Sequence, residues 1–320
     1  MSDLRPTTPA RRPETARPRE DAEPAIDPPS IAELGAIEAH LACLPVHAGA
    51  TATHDERLGA ILVRRDGAGP AGNYVALPRW TAQAWRQSLA RTVQLYRRWG
   101  TWPTILVADR LDRPIGLGTA LERIGWHAVQ RETVLWVGRA SVIPHLDPSM
   151  RIEAVQPRSV AVHEAVEREI FAIPEAEAEA RRALLAEALA GGGFRAFVVR
   201  VNDEPIAVAR LSQGDGVAGI YGLGVREAWR GRGYGTLLAT IVTRAGLATG
   251  NRLVWLSVED GNAPARRVYA KLGFAEAFGW ARWIGTPEEP EPADLAGDAD
   301  PRDEHDGAIA AGEGAGPTPA

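Results

Sequence analysis

A short segment near residue 230 combines arginines and glycines at a spacing suited to binding an anion. It reads RGRGYG from Arg230 to Gly235 and lies between a strand-like apolar segment and a helix-like one. Glycine allows backbone turns closed to other residues and lets a ligand approach the main chain closely. Successive N–H groups then point into one concavity, and the dipole of the following helix adds positive charge. The flanking arginines can add charge-assisted hydrogen bonds, so the segment predicts a pyrophosphate site.

Two familiar phosphate-binding motifs do not fit this segment. A P-loop would continue with Gly-Lys-Ser/Thr, which is absent after Gly235. A dinucleotide-binding fingerprint has a different spacing and follows the first strand of a βαβ unit, whereas the strand here ends an antiparallel run. The alternative interpretation, which needs no ligand, is that the segment forms only a tight turn between a strand and a helix.

A second motif follows about thirty residues later, in the sequence NAPARRVYAKLGF from Asn262 to Phe274. Asn262, Ala265 and Tyr269 are separated by three and then four residues, so on a helix they share one face. Asn262 followed by Pro264 is also typical of a helix start, where asparagine caps the first turn. The asparagine therefore has two interpretations, as a ligand-binding residue or as an N-cap alone.

Together, the two motifs resemble the GNAT superfamily of acyl-CoA-dependent N-acyltransferases. The CoA-binding signature of that superfamily, Gln/Arg-x-x-Gly-x-Gly/Ala, is matched by Arg230, Gly233 and Gly235. The downstream element is matched at Asn262, Ala265, Tyr269, Gly273 and Phe274. The resemblance covers residues 150–285 and implies the GNAT fold, an α/β (α+β) architecture with a mixed sheet flanked by helices.

The resemblance also implies a role for each matched residue. Backbone groups of Leu223 to Val225 would bind the pantetheine arm, and main-chain N–H groups from Arg230 to Thr236 would hold the pyrophosphate. Tyr269 would be the general acid for the departing thiolate, although it is alternatively an aromatic residue at the edge of the core. The implied acetyl-CoA-binding residues are Leu223, Val225, Arg230, Gly231, Arg232, Gly233, Gly235, Thr236, Asn262 and Ala265.

The general base is the part of the site that the sequence leaves open. Many GNAT enzymes carry an acid on the fourth or fifth strand, but the segments VAGIYGLGV and RLVWLSV contain none. The alternatives are Tyr221, Ser257, a water held by backbone carbonyls, a residue of the first half, or His163 and Glu167 on a predicted helix.

The resemblance implies an acetyl-CoA-dependent N-acetyltransferase that joins an acetyl group to a primary amine by direct attack in a ternary complex. The acceptor is a small-molecule, peptide or protein amine that the sequence does not identify. Because the two strands carry no acid, the alternative is a catalytically silent acyl-CoA sensor. A third hypothesis is an interaction protein that acts through its acidic tail.

The predicted elements from residue 150 onward follow the order β-α-α-β-β-β-α-β-α-β. The run RLVWLSV is continuously apolar, which indicates a strand buried on both faces. Antiparallel strands followed by a crossover helix and a parallel pair predict a mixed sheet.

The sequence of the first half, residues 31–141, predicts a degenerate GNAT-like repeat. Its predicted elements include helices near residues 31–42 and 80–100, a strand near 103–109, a short helix near 117–125 and a final strand near 127–138. Arg113, Gly116 and Gly118 repeat the Arg-x-x-Gly-x-Gly spacing, but the following helix is short and no second motif comes after it. We therefore interpret the segment as the closing strand-helix-strand of a tandem half, with Gly125-Trp126 corresponding to Gly273-Phe274.

Composition limits the remaining classes of protein. The predicted division is a disordered segment 1–30, a first domain 31–141, a second domain 150–285 and a disordered acidic tail 286–320. The net charge is −5, but residues 286–320 carry ten acids and one base, so the rest is only mildly basic at about +4. This favours an anionic small ligand over nucleic acid. The sequence has one cysteine, no spacing typical of metal ligands and no apolar run long enough to cross a membrane. It therefore predicts a cytoplasmic protein without a metal or a membrane partner.

Overall fold

The computed structural model describes residues 26–43, 50–65, 69, 72–143, 148–192 and 194–285. The predicted disordered segments 1–30 and 286–320 lie outside these residues, except for 26–30. Residues 26–30 pack on the folded chain, because the Arg252 guanidinium donates hydrogen bonds to the carbonyl oxygens of Asp27 and Pro28.

The described residues of the first half form three α-helices and five strands. In chain order they are α1 (Ile31–Cys43), β1 (Thr51–Asp55), β2 (Ala60–Arg64), β3 (Tyr74–Ala76), α2 (Trp85–Trp99), β4 (Thr104–Ala108), α3 (Leu117–Arg123) and β5 (His127–Val137). The hairpin β1–β2 and strand β3 were not predicted. Asp55 marks the hairpin turn, since its carboxylate accepts the N–H groups of Arg57 and Leu58.

The described residues of the second half form four α-helices and six strands in the predicted order. They are β6 (Met150–Ala154), α4 (Val160–Ile170), α5 (Ala178–Ala190), β7 (Phe194–Val201), β8 (Glu204–Gly214), β9 (Val217–Val225), α6 (Tyr234–Leu247), β10 (Leu253–Glu259), α7 (Ala263–Lys271) and β11 (Ala275–Ile284). The predicted mixed sheet is confirmed, since β9 pairs antiparallel with β8 and parallel with β10.

All eleven strands form one sheet in the order β1-β2-β3-β4-β11-β5-β10-β9-β8-β7-β6. The last strand of each half is therefore inserted beside the other half. Strand β5 pairs with β10 of the second half, while β11 pairs with β4 of the first. The two exchanged strands also pair with each other. The boundary near residues 142–149 stays a prediction for the chain, because in space the halves share their central strands.

Helices cover both faces of the sheet and bury its apolar side chains. One face, here called the α6 face, carries α2 and α3 over the first half and α6 and α7 over the second. The opposite α4 face carries α1 at the centre and α4 and α5 over the second half. Side chains alternate between the two faces along each strand. Successive residues of β10 therefore contact helices on opposite faces of the sheet.

Candidate active site

A gap opens in the sheet between β9 and β10. The two strands pair in parallel only from Val217 to Ile220 and from Leu253 to Leu256. Beyond this point β9 runs on to Val225 without pairing to β10, while β10 continues against β5 to Glu259. The edge of β9 from Tyr221 to Val225 is thereby available for hydrogen bonds to an extended ligand.

Glycines on β9 explain both the bend of the strand and its close approach to α4. Gly222 has a φ of +55° and lies where the pairing with β8 shifts register. A Cβ there would lie 2.7 Å from Glu167 Oε1, and a Cβ on Gly224 would lie 2.6 Å from Ile170 Cγ2. The glycine content of this strand therefore makes room for α4 as well as shaping the gap.

The glycine loop ends at the N-terminus of α6, beside the gap. Gly231 and Gly233 have φ values of +75° and +87°, and a Cβ at either residue would meet nothing within 4 Å. Backbone conformation, not crowding, therefore requires these glycines. Gly233 is the N-cap residue, and no side chain caps the helix. The first N–H groups of α6 thus meet the requirement for an anion site.

The two arginines of the loop differ in their contacts. The Arg230 Nε donates a hydrogen bond to the Val225 carbonyl at 3.0 Å, which ties the loop to the end of β9. The Arg232 guanidinium lies 5.0 Å from the centroid of the Trp229 ring. Both residues are exposed. Arg230 therefore has a structural contact in addition to its predicted phosphate role.

Helix α7 brings Asn262 and Tyr269 to the α6 face. The Asn262 side chain accepts the Ala265 N–H at 3.2 Å, so the residue is an N-cap; its predicted contact with CoA stays a prediction. Tyr269 is 8% exposed and packs in a cluster with Leu256 and Val258 of β10. Burial raises the pKa of Tyr269 to about 12, so the phenol stays protonated at neutral pH. Its hydroxyl has no hydrogen-bond partner among the described residues.

The α4 face beside β10 carries a polar cluster around Ser257, which was one of the candidate bases, whereas its partner Glu132 was not named from the sequence. Ser257 is the first residue of β10 beyond the segment that pairs with β9. Its hydroxyl donates a hydrogen bond to the Glu132 carboxylate of β5. The Trp280 Nε1 donates to Ser257 Oγ at 2.7 Å, and Gln130 donates to the other Glu132 oxygen. Burial raises the pKa of Glu132, and Glu259 adds a smaller effect in the same direction.

The surroundings of two candidate bases named from the sequence do not suit a general base. Glu167 lies between two guanidinium groups, 2.8 Å from Arg210 and 3.2 Å from Arg181. His163 is fully buried, and burial lowers its pKa to about 4. The prediction that β10 carries no acid was incomplete, because the strand extends to Glu259, one residue beyond the predicted segment.

In the described part of the first half, no glycine loop precedes the helix that corresponds to α6. The counterpart of α6 is α2, and the preceding residues 77–84 contain no glycine. The Arg113–Gly118 segment instead precedes α3, the counterpart of α7. There the Asp112 carboxylate accepts the Leu117 N–H at 2.9 Å. An internal carboxylate thus accepts the first N–H of α3, so this N–H is not left for an external anion.

Residues 160–274 match the family model described as the Acetyltransferase (GNAT) family. This part of the chain is a GNAT domain. It contains the gap, the glycine loop and α7. Among curated proteins, no sequence matches the chain.

Solved structures show that the GNAT fold extends over both halves. A GCN5-related N-acetyltransferase from Kribbella flavida has a TM-score of 0.60 at 18% identity, covering 81% of this chain and 96% of its own. A tandem GNAT protein from the clavulanic acid biosynthesis pathway has a TM-score of 0.55 at 21% identity, covering 72% and 78%. A GCN5-related N-acetyltransferase from Sphaerobacter thermophilus has a TM-score of 0.54 at 18% identity, covering 73% and 82%. The predicted tandem GNAT fold is confirmed.

The described part of the chain has neither a helix suited to crossing a bilayer nor a group of three His, Cys or acidic side chains placed to hold a metal ion.

Proposed function

We propose that this protein is an acetyl-CoA-dependent N-acetyltransferase that acts on a primary amine. The observation that carries the proposal is the gap between β9 and β10, with an uncapped, glycine-shaped helix start at one side and Tyr269 beside it. A thioester cofactor needs such an arrangement, because its arm is extended and polar while its far end carries phosphates.

Acetyl-CoA would bind with its pantetheine arm along the edge of β9, paired to backbone groups of Leu223 and Val225. Its pyrophosphate would accept hydrogen bonds from N–H groups between Arg230 and Thr236. Asn262 and Ala265 would flank the arm from the start of α7. This mode of binding uses main-chain groups for the cofactor, so its specificity depends on backbone conformation.

The reaction would proceed in a ternary complex. The nitrogen lone pair of the neutral amine forms a bond to the thioester carbonyl carbon, and a strand N–H stabilises the oxyanion. The C–S bond then breaks, the sulfur keeps the electron pair, and Tyr269 gives its proton to the thiolate. A general base takes the proton that the nitrogen loses. Because the Tyr269 phenol stays protonated at neutral pH, it is ready to donate when substrates bind.

A CoA-release assay across classes of primary amine tests the proposal. The panel contains aliphatic diamines, aminosugars, free amino acids and peptides with a lysine. Calorimetry measures acetyl-CoA binding separately. We expect binding together with turnover of at least one class. Binding without turnover would favour the sensor alternative. That alternative was based on the absence of an acid, but Glu259 lies on β10 and Glu132 lies on the neighbouring strand β5. Absence of acetyl-CoA binding would refute both.

A further inference from the structure

Strand exchange brings an acidic side chain of the first half next to β10, one of the two strands that border the gap in the second half. Glu132 lies on β5, which pairs with β10 on one side and with β11 on the other. Its two carboxylate oxygens accept hydrogen bonds from Ser257 of β10 and from Gln130 of its own strand. The carboxylate is therefore oriented toward β10.

Ser257 occupies the position from which a side chain can reach the gap. The parallel pairing of β9 and β10 ends at Leu256, so Ser257 is the first residue of β10 beside the open edge of β9. Its neighbours Leu256 and Val258 pack with Tyr269 on the α6 face. Because side chains alternate along a strand, Ser257 lies on the α4 face, opposite the face on which Tyr269 packs.

The hydrogen bonds of Ser257 set the direction in which a proton can move. The hydroxyl donates its proton to Glu132 and accepts one hydrogen bond from Trp280. A hydroxyl oxygen has two lone pairs, so one acceptor position is left for an N–H of a bound amine. Ser257 and Glu132 are only partly buried, as contact with a substrate and release of a proton require.

We propose that Ser257 and Glu132 form the proton relay that serves as general base, an inference that rests on the proposed acetyltransferase function. As the C–N bond forms, the amine nitrogen gives a proton to Ser257 Oγ, and Ser257 gives its own proton to the Glu132 carboxylate. On the other face Tyr269 protonates the thiolate. Glu132 then releases its proton to solvent and Tyr269 takes one up, which restores both groups. Ser257 contacts the substrate, and Glu132 acts through it.

The surroundings of Glu132 favour this role over the other acids near the gap. Burial raises its pKa, which makes the carboxylate a stronger base than an exposed glutamate. Glu259, directly opposite it on β10, is exposed, while Glu167 is held by two arginines. Glu259 instead increases the basicity of Glu132 by like-charge repulsion.

Steady-state kinetics of the full chain over a range of pH test the relay, with acetyl-CoA and the fastest amine of the panel. For Glu132→Gln and Ser257→Ala we expect kcat about 100-fold lower, the size typical of general base catalysis, with the Kd for acetyl-CoA unchanged. The acidic limb of the kcat profile due to Glu132 should disappear in Glu132→Gln. Glu259→Gln should keep the limb but move it to lower pH. Full activity of Glu132→Gln, or an unchanged acidic limb in it, would overturn the relay.

A crystal structure of the wild-type chain with acetyl-CoA separates failure of the relay from failure of the proposed function. The relay requires Ser257 Oγ within direct or one-water reach of the reacting amine, roughly 6 Å at most from the thioester carbonyl carbon. Acetyl-CoA in the gap with Ser257 beyond that distance would overturn the relay alone. Acetyl-CoA bound elsewhere would overturn the proposed function and the relay with it.

Discussion

The two halves of the molecule repeat one backbone plan but differ in the groups that chemistry would need. In both, a helix, a strand, a short helix and a last strand follow a strand that forms a parallel pair. The two short helices end alike, at Gly125 and Gly273 with φ values of +84° and +83°. The following N–H groups bond to Leu121 and Tyr269, so leucine occupies the position of the tyrosine.

The helices that follow the first strand of each parallel pair start differently. Helix α6 begins at an uncapped glycine with positive φ, whereas α2 begins after Ala84 with a φ of −101°. Helix α3 begins at Gly116, which also has a positive φ of +80°, but there the Asp112 carboxylate accepts the N–H of Leu117. The comparison teaches that the fold tolerates loss of the glycines and of the tyrosine, since the first half keeps its strands and core without them. The fold alone therefore does not require these residues of the second half, as the proposed function expects.

Replacing the tyrosine is expected to have the largest effect. Tyr269→Phe removes the proposed proton donor and leaves the ring packed against Phe274. We expect kcat to fall about 100-fold, the scale of general acid catalysis, with the Kd for acetyl-CoA little changed. CoA release and calorimetry measure the two quantities. The matched control is Tyr96→Phe, at a fully buried tyrosine of the first half. Equal turnover of the two variants would remove Tyr269 from the mechanism.

The glycine at the start of α6 is expected to have the next largest effect, on cofactor affinity. Gly233→Val places a β-branched residue at a φ of +87°, a strain of about 1–3 kcal/mol that the loop relieves by moving its N–H groups. We expect the Kd for acetyl-CoA to rise about tenfold or more. Ala84→Val is the control at the equivalent position of α2. If calorimetry finds the same Kd for Gly233→Val and wild type, the pyrophosphate does not bind at this loop.

The smallest expected effect is on the free energy of unfolding, through the Asp112 carboxylate at the start of α3. Burial raises the pKa of Asp112 to about 6 from 3.8, so the native state binds this proton more tightly than the unfolded state. The free energy of unfolding therefore falls as the pH rises from about 4 to 6. Asp112→Asn keeps an oxygen for the Leu117 N–H and removes the buried charge. We expect it to exceed wild type in stability by about 1 kcal/mol at pH 7 and to match it near pH 4.

Urea unfolding at both pH values measures this difference, with Asp203→Asn as an exposed control. A less stable Asp112→Asn at pH 7 would show that the charge of Asp112 stabilises the start of α3, contrary to the prediction.

Much of the second half could be predicted because its signals are local. Hydrophobic runs and the glycines around α6 indicated its elements in the correct order, and the two motifs indicated its family. The hairpin β1–β2 and strand β3 were missed because they are short and β1 is largely exposed, with sequence TATHD. Glu132 was missed for a different reason. Nothing in the sequence HAVQRETVLWV of β5 distinguishes a glutamate that contacts the other half of the molecule from one that faces solvent.

The sequence by itself determined the glycine loop, the N-cap at Asn262 and the placement of Tyr269 on a helix, because backbone conformation and helical spacing are properties of a few neighbouring residues. Only the tertiary structure decided which strands lie side by side. The exchange of β5 and β11 joins residues more than a hundred positions apart, Glu132 and Ser257 among them. The acid that the second half lacked within its predicted strands therefore comes from the first half, through sheet pairing that local patterns do not encode.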